Sequence, residues 1–457
     1  MVFNSNVFLL LFLPIVFGLF WLSTTKRQRY VLLTLSGYAF YGYWDWRYCF
    51  LLAFSSLISF LSALMIQRSD DPAIRRLWLV VSISVDLVIL GFFKYYNFAT
   101  GTVNELTGSS ALPILNIILP VGISFYTFHT ISYIVDVFHG RIHATKNIWE
   151  YFTYVSLFSQ LVAGPIVRFR QIEDDLDHID RSLPEDYVAK GVGFFAVGMV
   201  KKVIVADSIA QVINPMLSSY TMLSTAGAWS TALGYTYQLY YDFSGYSDMA
   251  IGLGYLFGIR IPQNFNAPYQ ALGIRDFWRR WHISLSSWLR DYLYIPLGGG
   301  RRGATRTQIN LIVTMFLGGL WHGANWTFVV WGLYHGVLLI LDRVAEPVTS
   351  HLPKLAYRWL TFVLVIFGWV LFRSTDFHMA SVWLAKMAGM GGDGTVGVSL
   401  SLLAIIVLCF TTSNVLPSSW DFQISPTPLW ASLSAASLFI AYLFMNARDS
   451  VFLYYQF

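Results

Sequence analysis

Residues 275–335 read RDFWRRWHISLSSWLRDYLYIPLGGGRRGATRTQINLIVTMFLGGLWHGANWTFVVWGLYH, and the rest of the chain is organised around them. At 3.6 residues per turn, Arg275, Arg279, His282, Ser286 and Arg290 fall on one face of a predicted helix, and Trp278, Trp281, Leu285, Trp288 and Tyr292 on a second. Asp276, Arg280, Ser287 and Asp291 form a third, with Asp276 and Arg280 at ion-pair spacing. Three faces need three neighbours, as for a helix held between headgroups, protein interior and water. Pro296 cannot continue such a helix, and Gly298, Gly299 and Gly300 permit a tight turn. The apolar run LGGLWHGANW that follows carries His322, flanked by Trp321, Gly323 and Asn325. A lone ring there is either a packed structural residue or a functional one, and the basic helix is either a surface anchor or the mouth of a site.

Composition settles the broader class. Of 457 residues, 56% are hydrophobic and only 12% charged, against about 25% charged in an ordinary globular protein. The mean hydropathy is +0.55. This is a membrane protein, and its 17 Trp, 27 Tyr and 36 Phe suit interfacial belts and a packed interior. The two cysteines, Cys49 and Cys409, form no CxxC pattern, and no HExxH is present, so neither zinc nor redox chemistry is implied. Between residues 260 and 306 eight arginines face two aspartates, a local balance of +6 that exceeds the whole chain's +5. Nucleic acid is a poor explanation for arginines embedded between spans. Anionic lipid is one explanation, and a phosphorylated ligand is the other, because the guanidinium fork matches phosphate oxygens.

In chain order, Val7–Leu22 reads as a retained first span, since the basic Lys26, Arg27 and Arg29 follow it rather than precede it. Spans are predicted over Tyr30–Trp44, Cys49–Ile66, Leu77–Phe93 and Ala111–Val137, the last breaking at Pro120, with a polar loop at Thr100–Ser110. Every basic loop then falls on one side, which puts the amino terminus outside. Tyr151–Val167 carries Gln160 and Pro165 and reads as re-entrant, followed by a solvated acidic loop holding Asp174, Asp175 and Asp177. Further spans are predicted at Val188–Ala206, Ala226–Phe257, Thr327–Leu341, Leu355–Phe372, Val398–Val415 and Leu429–Phe444. Asp242 and Asp248 should face inward, either bonding helix to helix or lining a polar path. His335 reads as structural, given the ease of helix-to-helix hydrogen bonding, and His129 as a packing residue or, alternatively, a cavity-lining one.

The motifs WRRWHISLSSWLRDYLYIPLGG, GGLWHGANWTFVVWG, FSGYSDMAIG and NFNAPY together resemble the membrane-bound O-acyltransferase family, and within it the bacterial alginate O-acetyltransferase type. The resemblance covers most of the chain. It implies an all-α, polytopic integral membrane protein, a single domain over residues 1–457 with about eleven transmembrane helices, re-entrant and interfacial pieces, and a central funnel. It maps the family's intramembrane histidine onto His322 and its second signature polar residue onto His282. It further implies acetyl-coenzyme A as cytoplasmic donor, an extracytoplasmic polysaccharide acceptor (alginate, cellulose, another exopolysaccharide or peptidoglycan), a periplasmic acetyltransferase partner, and a place in the bacterial inner membrane. The terminal VFLYYQF is similar to the aromatic ends of such proteins and is expected to contact a partner.

The residues support a matching chemistry on their own terms. A buried imidazole stays neutral, as a base must, and His322 could take the proton of an acceptor hydroxyl attacking a thioester. Asn325 would orient a reactant or stabilise an oxyanion, or else cap a helix. His282 would bind the donor or relay a proton. Arg279, Arg290, Arg301 and Arg302 are the candidates for coenzyme A phosphates, and Trp321 for the wall beside them. A carrier of acetyl groups, sugars or ions, built on Asp242 and Asp248, is the reading from another class, and a scaffold for a secretion complex is a third.

Overall fold

The computed structural model describes residues 1–390, 394–446 and Leu453. The terminal VFLYYQF therefore lies outside the described residues except for Leu453. Among the described residues helix is the only extended regular structure, the single β feature being an isolated bridge between Leu223 and Val396. It divides into two compact units, one of Met1–Phe195 with Met249–Pro262 and Ile424–Ser432, the other of Ala196–Asp248, Gln263–Gln423 and Leu433–Phe457. Among the described residues, five helical stretches are long and apolar enough to cross a membrane: Arg47–Arg68, Pro72–Thr107, Trp326–Val344, Lys354–Arg373 and Pro428–Asn446. Phe8–Leu22 and Leu400–Val415 are shorter apolar helices.

The first unit contains α1 (Leu13–Leu22), α2 (Lys26–Asp45), α3 (Arg47–Arg68), α4 (Pro72–Leu90), α5 (Tyr96–Thr107), α6 (Ile123–Phe138), α7 (Ile148–Ser156) and α8 (Phe169–Asp177), and α9 (Glu185–Met199) begins in it. Thr25 and Gln28 form a capping box that starts α2 sharply after the first apolar helix. Two expectations are corrected. The polar segment at Thr100–Ser110 is helical as far as Thr107, where left-handed Gly108 (φ 61°) caps the helix and starts the loop; the Thr100 and Thr107 hydroxyls are satisfied within it by Tyr96 O (3.0 Å) and Val103 O (2.8 Å). The acidic stretch is not a loop either. Asp174 and Asp175 sit on α8 and pair with Arg260 at 3.0 and 2.6 Å, holding its guanidinium pKa above the usual value, foremost through the Asp175 hydrogen bond. The re-entrant reading of Tyr151–Val167 meets an α7 that stops at Ser156, after which residues 157–167 are irregular and buried. Such backbone survives at membrane depth only when protein surrounds it. Gln160 belongs to that arrangement, its Nε2 donating to Tyr154 O at 2.7 Å.

The second unit holds α10 (Asp207–Ser218), α11 (Thr225–Leu256), α12 (Ile274–Arg280), α13 (Ile283–Leu289), α14 (Ala304–His322), α15 (Trp326–Val344), α16 (Glu346–Thr349), α17 (Lys354–Arg373), α18 (Phe377–Met387), α19 (Leu400–Val415) and α20 (Pro428–Asn446). Its central feature is the α14–α15 hairpin. The two helices approach closely because Gly319 and Gly332 face each other, and a Cβ on Gly319 would lie 3.1 Å from the Gly332 Cα. The hairpin closes at His322–Asn325 and opens at its basic end, with Arg301, Arg302 and Arg306 before α14 or in its first turn and Arg343 in the last turn of α15.

Asp242 and Asp248 do face inward and bond helix to helix, and they do so through ion pairs. Lys202 lies 2.7 Å from Asp242 and 2.6 Å from Asp207, and Lys201 lies 2.6 Å from Asp248. The Leu453 N–H donates to Asp242 at 3.0 Å. A buried charge without a partner costs far more than a paired one, which is why the lysines come with these aspartates.

Candidate active site

The predicted helix over 275–292 is broken. α12 ends at Arg280, Trp281 is extended, and His282 adopts a left-handed conformation with φ 44° before α13 begins. That conformation is uncommon for a residue with a Cβ and holds only where its surroundings fix it. Asn264 does the fixing. Its Oδ1 accepts from the Ser284 N–H (3.1 Å), the Ser284 hydroxyl (2.8 Å) and His282 Nδ1 (3.2 Å), while its backbone carbonyl accepts from the Ile283 N–H (2.9 Å). Because a backbone N–H can only donate, the amide orientation is determined, and Oδ1 facing His282 puts the neutral ring's proton on Nδ1. Nε2 then keeps its lone pair.

The break separates residues that a continuous wheel had placed together. Arg275, Arg279, Ser286 and Arg290 still share one cavity of about 340 Å³, with Trp278, Tyr294, Leu311, Met315, Leu339 and Arg343 among its other walls. His282, assigned to the same face, instead turns into the interior, fully buried, its ring 4.6 Å from Phe243, 6.0 Å from Trp321 and 6.5 Å from His322. The predicted Asp276–Arg280 pair forms at 3.0 Å, whereas Asp291 pairs with its neighbour Arg290 at 2.7 Å.

Charge in the cavity is unevenly compensated. Arg275 is held by Asp342 (2.8 Å) and Glu346 (2.9 Å), and the hydrogen bond to Asp342 raises its pKa further, as the bond to Asp291 does for Arg290. Arg279 and Arg343 make no side-chain hydrogen bond or ion pair among the described residues. Two uncompensated guanidinium groups over an apolar floor suit an anion that carries an apolar arm. Arg301 and Arg302, predicted to join them, lie exposed in the glycine turn and are not walls of this cavity.

His322 stands on the same stripe of α14 as Met315, seven residues and about 10 Å further along. It is 5% exposed and boxed by Trp321 (5.0 Å between ring centres), Trp331 (5.1 Å) and Phe372 (5.1 Å), all near perpendicular to it. Edge-to-face pairs of this kind are worth about 0.5–1.5 kcal/mol each beyond burial, so the ring's plane is well determined. Asn325 spends its amide on structure: Oδ1 caps α15 by accepting from the Thr327 N–H (3.0 Å), and Nδ2 donates to Thr375 O (2.9 Å). His335 is placed as a structural residue, but by packing rather than by helix-to-helix hydrogen bonding. Neither ring nitrogen has a hydrogen-bond partner among the described residues, and the ring is enclosed by Trp331 at 4.9 Å and Trp278 at 5.2 Å. His129 is likewise fully buried, 5.6 Å from the Tyr154 ring, as expected of a packing residue. The residues not foreseen are Asn264, Arg343, Trp331 and Phe372. Only Asn264 had a local signal, a polar amide in the turn-forming run PQNFNAPY.

Among the described residues no group of three or more His, Cys, Asp or Glu is arranged to hold a metal ion. Comparison with known proteins fits the geometry. The chain is 45% identical over 397 residues to the probable alginate O-acetylase AlgI of Azotobacter vinelandii, covering 86% of this chain and 79% of that one. It is 45% identical over 426 residues to the protein of that name in Pseudomonas aeruginosa, covering 90% and 81%. It is also 34% identical to the peptidoglycan O-acetyltransferase of Helicobacter pylori, across 100% of this chain and 98% of that one. Residues 115–380 match the MBOAT family, and the chain is accordingly a multi-pass membrane enzyme belonging to the membrane-bound O-acyltransferase family.

Proposed function

We propose that the protein transfers an acetyl group from cytoplasmic acetyl-coenzyme A toward O-acetylation of an extracytoplasmic polysaccharide, with alginate-type glycans the first acceptors to test. The observation that carries this reading is the placement of His322 on the α14 stripe that also walls the arginine cavity, within a chain 45% identical to probable alginate O-acetylases. Arg279, Arg343 and Arg290 receive the donor's phosphates, and the apolar floor of Leu311, Met315 and Leu339 guides the acyl arm toward His322. His322 accepts the hydroxyl proton as the acceptor oxygen attacks the thioester carbon. The carbon–sulfur bond then breaks, and the proton passes to sulfur, releasing the free thiol. His282, its lone pair on Nε2, lies close enough to steady or relay that proton. Trp321 closes the wall between the two rings, Asn325 holds the hairpin turn in place, and Arg301 and Arg302 contribute only to the general basic field around the mouth.

The whole chain acts as one membrane-embedded domain of about eleven spans around a central funnel, in the bacterial inner membrane, with its amino terminus in the periplasm. A periplasmic transferase that receives the acetyl group is the natural partner, and the Helicobacter pylori relative keeps peptidoglycan in the acceptor panel. The test is purified protein with labelled acetyl-coenzyme A and a panel of glycans, with and without such a partner. Label should reach a glycan or the partner with wild-type protein and not with His322→Ala.

A further inference from the structure

Inside the first unit lies an acidic side chain that the proposed reaction does not use. Asp86 stands about 21 Å along α4 from Pro72, deep in a helical stretch long and apolar enough to span a membrane, and it is 2% exposed where α4 packs on α3 and α6. Its Oδ1 accepts from the Ser55 hydroxyl of α3 and its Oδ2 from the Thr130 hydroxyl of α6, each at 2.6 Å. Bonds that short are characteristic of hydroxyls donating to an ionised carboxylate. No basic side chain pairs with Asp86 among the described residues. Lys94, about two turns further along the same helical stretch, reaches Ser124 at 3.2 Å instead.

A carboxylate at membrane depth needs a compensating positive charge, and two hydroxyls supply none. The atoms around it are oxygens, the donors a hard cation takes. Ser82 stands one turn before Asp86 on α4, and because helical side chains lean toward the amino-terminal end, the Asp86 carboxyl is directed back over it. The Ser82 hydroxyl is buried, on a residue 1% exposed, and has no hydrogen-bond partner among the described residues. Thr130 has a second acceptor within reach, its Oγ1 lying 2.9 Å from Thr127 O. With a cation at the carboxylate, Thr130 gives its hydrogen to that carbonyl and turns a lone pair toward the ion. One carboxylate among neutral hydroxyls balances a single positive charge. With two hydroxyls already at 2.6 Å from that carboxylate, the space suits Na⁺ rather than the larger K⁺.

We infer that Asp86, Ser55, Ser82 and Thr130 form a binding site for one small monovalent cation, Na⁺ in preference to K⁺, buried among α3, α4 and α6. The site shares no residue with the arginine cavity or the histidine box, so it stands or falls independently of the acetyl-transfer reading.

The test is radiolabelled Na⁺ binding and thermal melting of full-length protein in detergent micelles, exchanged into choline chloride and titrated with NaCl or KCl at constant ionic strength and pH. Wild-type protein should bind Na⁺ saturably, one ion per chain, and should melt higher in Na⁺ than in K⁺ or choline. Asp86→Asn should lose the saturable binding and melt alike in every salt. Ser82→Ala removes one neutral ligand and leaves the Asp86 bonds to Ser55 and Thr130 in place, so it should fold and bind Na⁺ roughly 10-fold more weakly. Should Asp86→Asn fail to fold, Ser82→Ala decides, and wild-type affinity in that variant would overturn the inference. So would the absence of saturable binding by wild-type protein, unchanged binding in a folded Asp86→Asn, or equal responses to Na⁺, K⁺ and choline. A melting temperature that follows pH but no salt, with that dependence lost in Asp86→Asn, would make a proton the occupant and overturn it as well.

Discussion

At the scale of single residues, the two histidines are held by different means. His322 is aligned by aromatic faces and His282 by one amide, so their substitutions should behave differently. His322→Ala removes the proposed reacting group and should lower transfer by about 10²- to 10⁴-fold while the protein still inserts and folds, with a lower melting temperature from the lost ring contacts, as read by steady-state kinetics and thermal unfolding. Asn264→Ala leaves the His282 proton and the Ser284 groups without their acceptor, a loss of about 1–3 kcal/mol, and should lower both melting temperature and kcat. Asn264→Asp keeps the acceptor oxygen and should recover most of the melting temperature. An Asn264→Ala protein with wild-type kcat would show that the tautomer of His282 is irrelevant to the reaction. His322 was legible in the sequence as a polar ring in an apolar run. The hub at Asn264 was not, because it depends on a left-handed turn at His282, and nothing in a helical wheel announces where a helix will break.

At the scale of elements, the α14–α15 hairpin sets the distance between the arginine cavity and His322, and the glycine contact sets the hairpin. Gly332→Val should destabilise by at least 1–3 kcal/mol, since its Cβ would meet the Gly319 Cα at 3.2 Å with rigid backbone on both sides. Gly101 in α5 is a matched control. No atom lies within 4 Å of its would-be Cβ, so Gly101→Ala should be neutral or stabilise by up to about 1 kcal/mol. Fluorescence-detected gel filtration across a temperature series reads both, and equal melting of the two variants would contradict the close-packed hairpin. Most helices were readable from apolar length, because a membrane span leaves a long signal: the stretches predicted at Cys49–Ile66 and Leu355–Phe372 appear as Arg47–Arg68 and Lys354–Arg373. The irregular segment 157–167 and short α8 were harder, since burial by surrounding protein, rather than local pattern, decides their course.

At the scale of the molecule, the charge excess between residues 260 and 306 is divided by the fold into a compensated part and an uncompensated one. Arg260, Arg275, Arg280 and Arg290 have carboxylate partners, whereas Arg279 has none among the described residues, and Arg343, from beyond that stretch, joins it in the cavity equally uncompensated. Replacing both Arg279 and Arg343 with Gln should therefore raise the donor KM by roughly 10-fold, and more at low salt than at high, whereas Arg301→Gln with Arg302→Gln should change it less than 2-fold, about the limit for exposed charges. Equal effects from the two double variants would mean that only the overall basic field matters. The proposed orientation makes its own prediction. In a background without Cys49 and Cys409, a cysteine introduced by Arg302→Cys should be labelled only from the cytoplasm and one introduced by Met390→Cys only from outside. Labelling of both from one side would invert or break the assigned topology. Sequence composition gave the sign and place of the charge excess, but not which arginines were already occupied, because the partners Asp342 and Glu346 lie some seventy residues away in the chain.

The most direct measurement of the account is single-turnover transfer from labelled acetyl-coenzyme A by the full-length protein in lipid nanodiscs, with acceptor glycan and the periplasmic partner supplied on the opposite face. Wild-type protein should move label from thioester to the acceptor side. His322→Ala should retain donor binding and transfer at least 10²-fold more slowly. Transfer by His322→Ala at the wild-type rate would contradict the claim that this histidine performs the reaction.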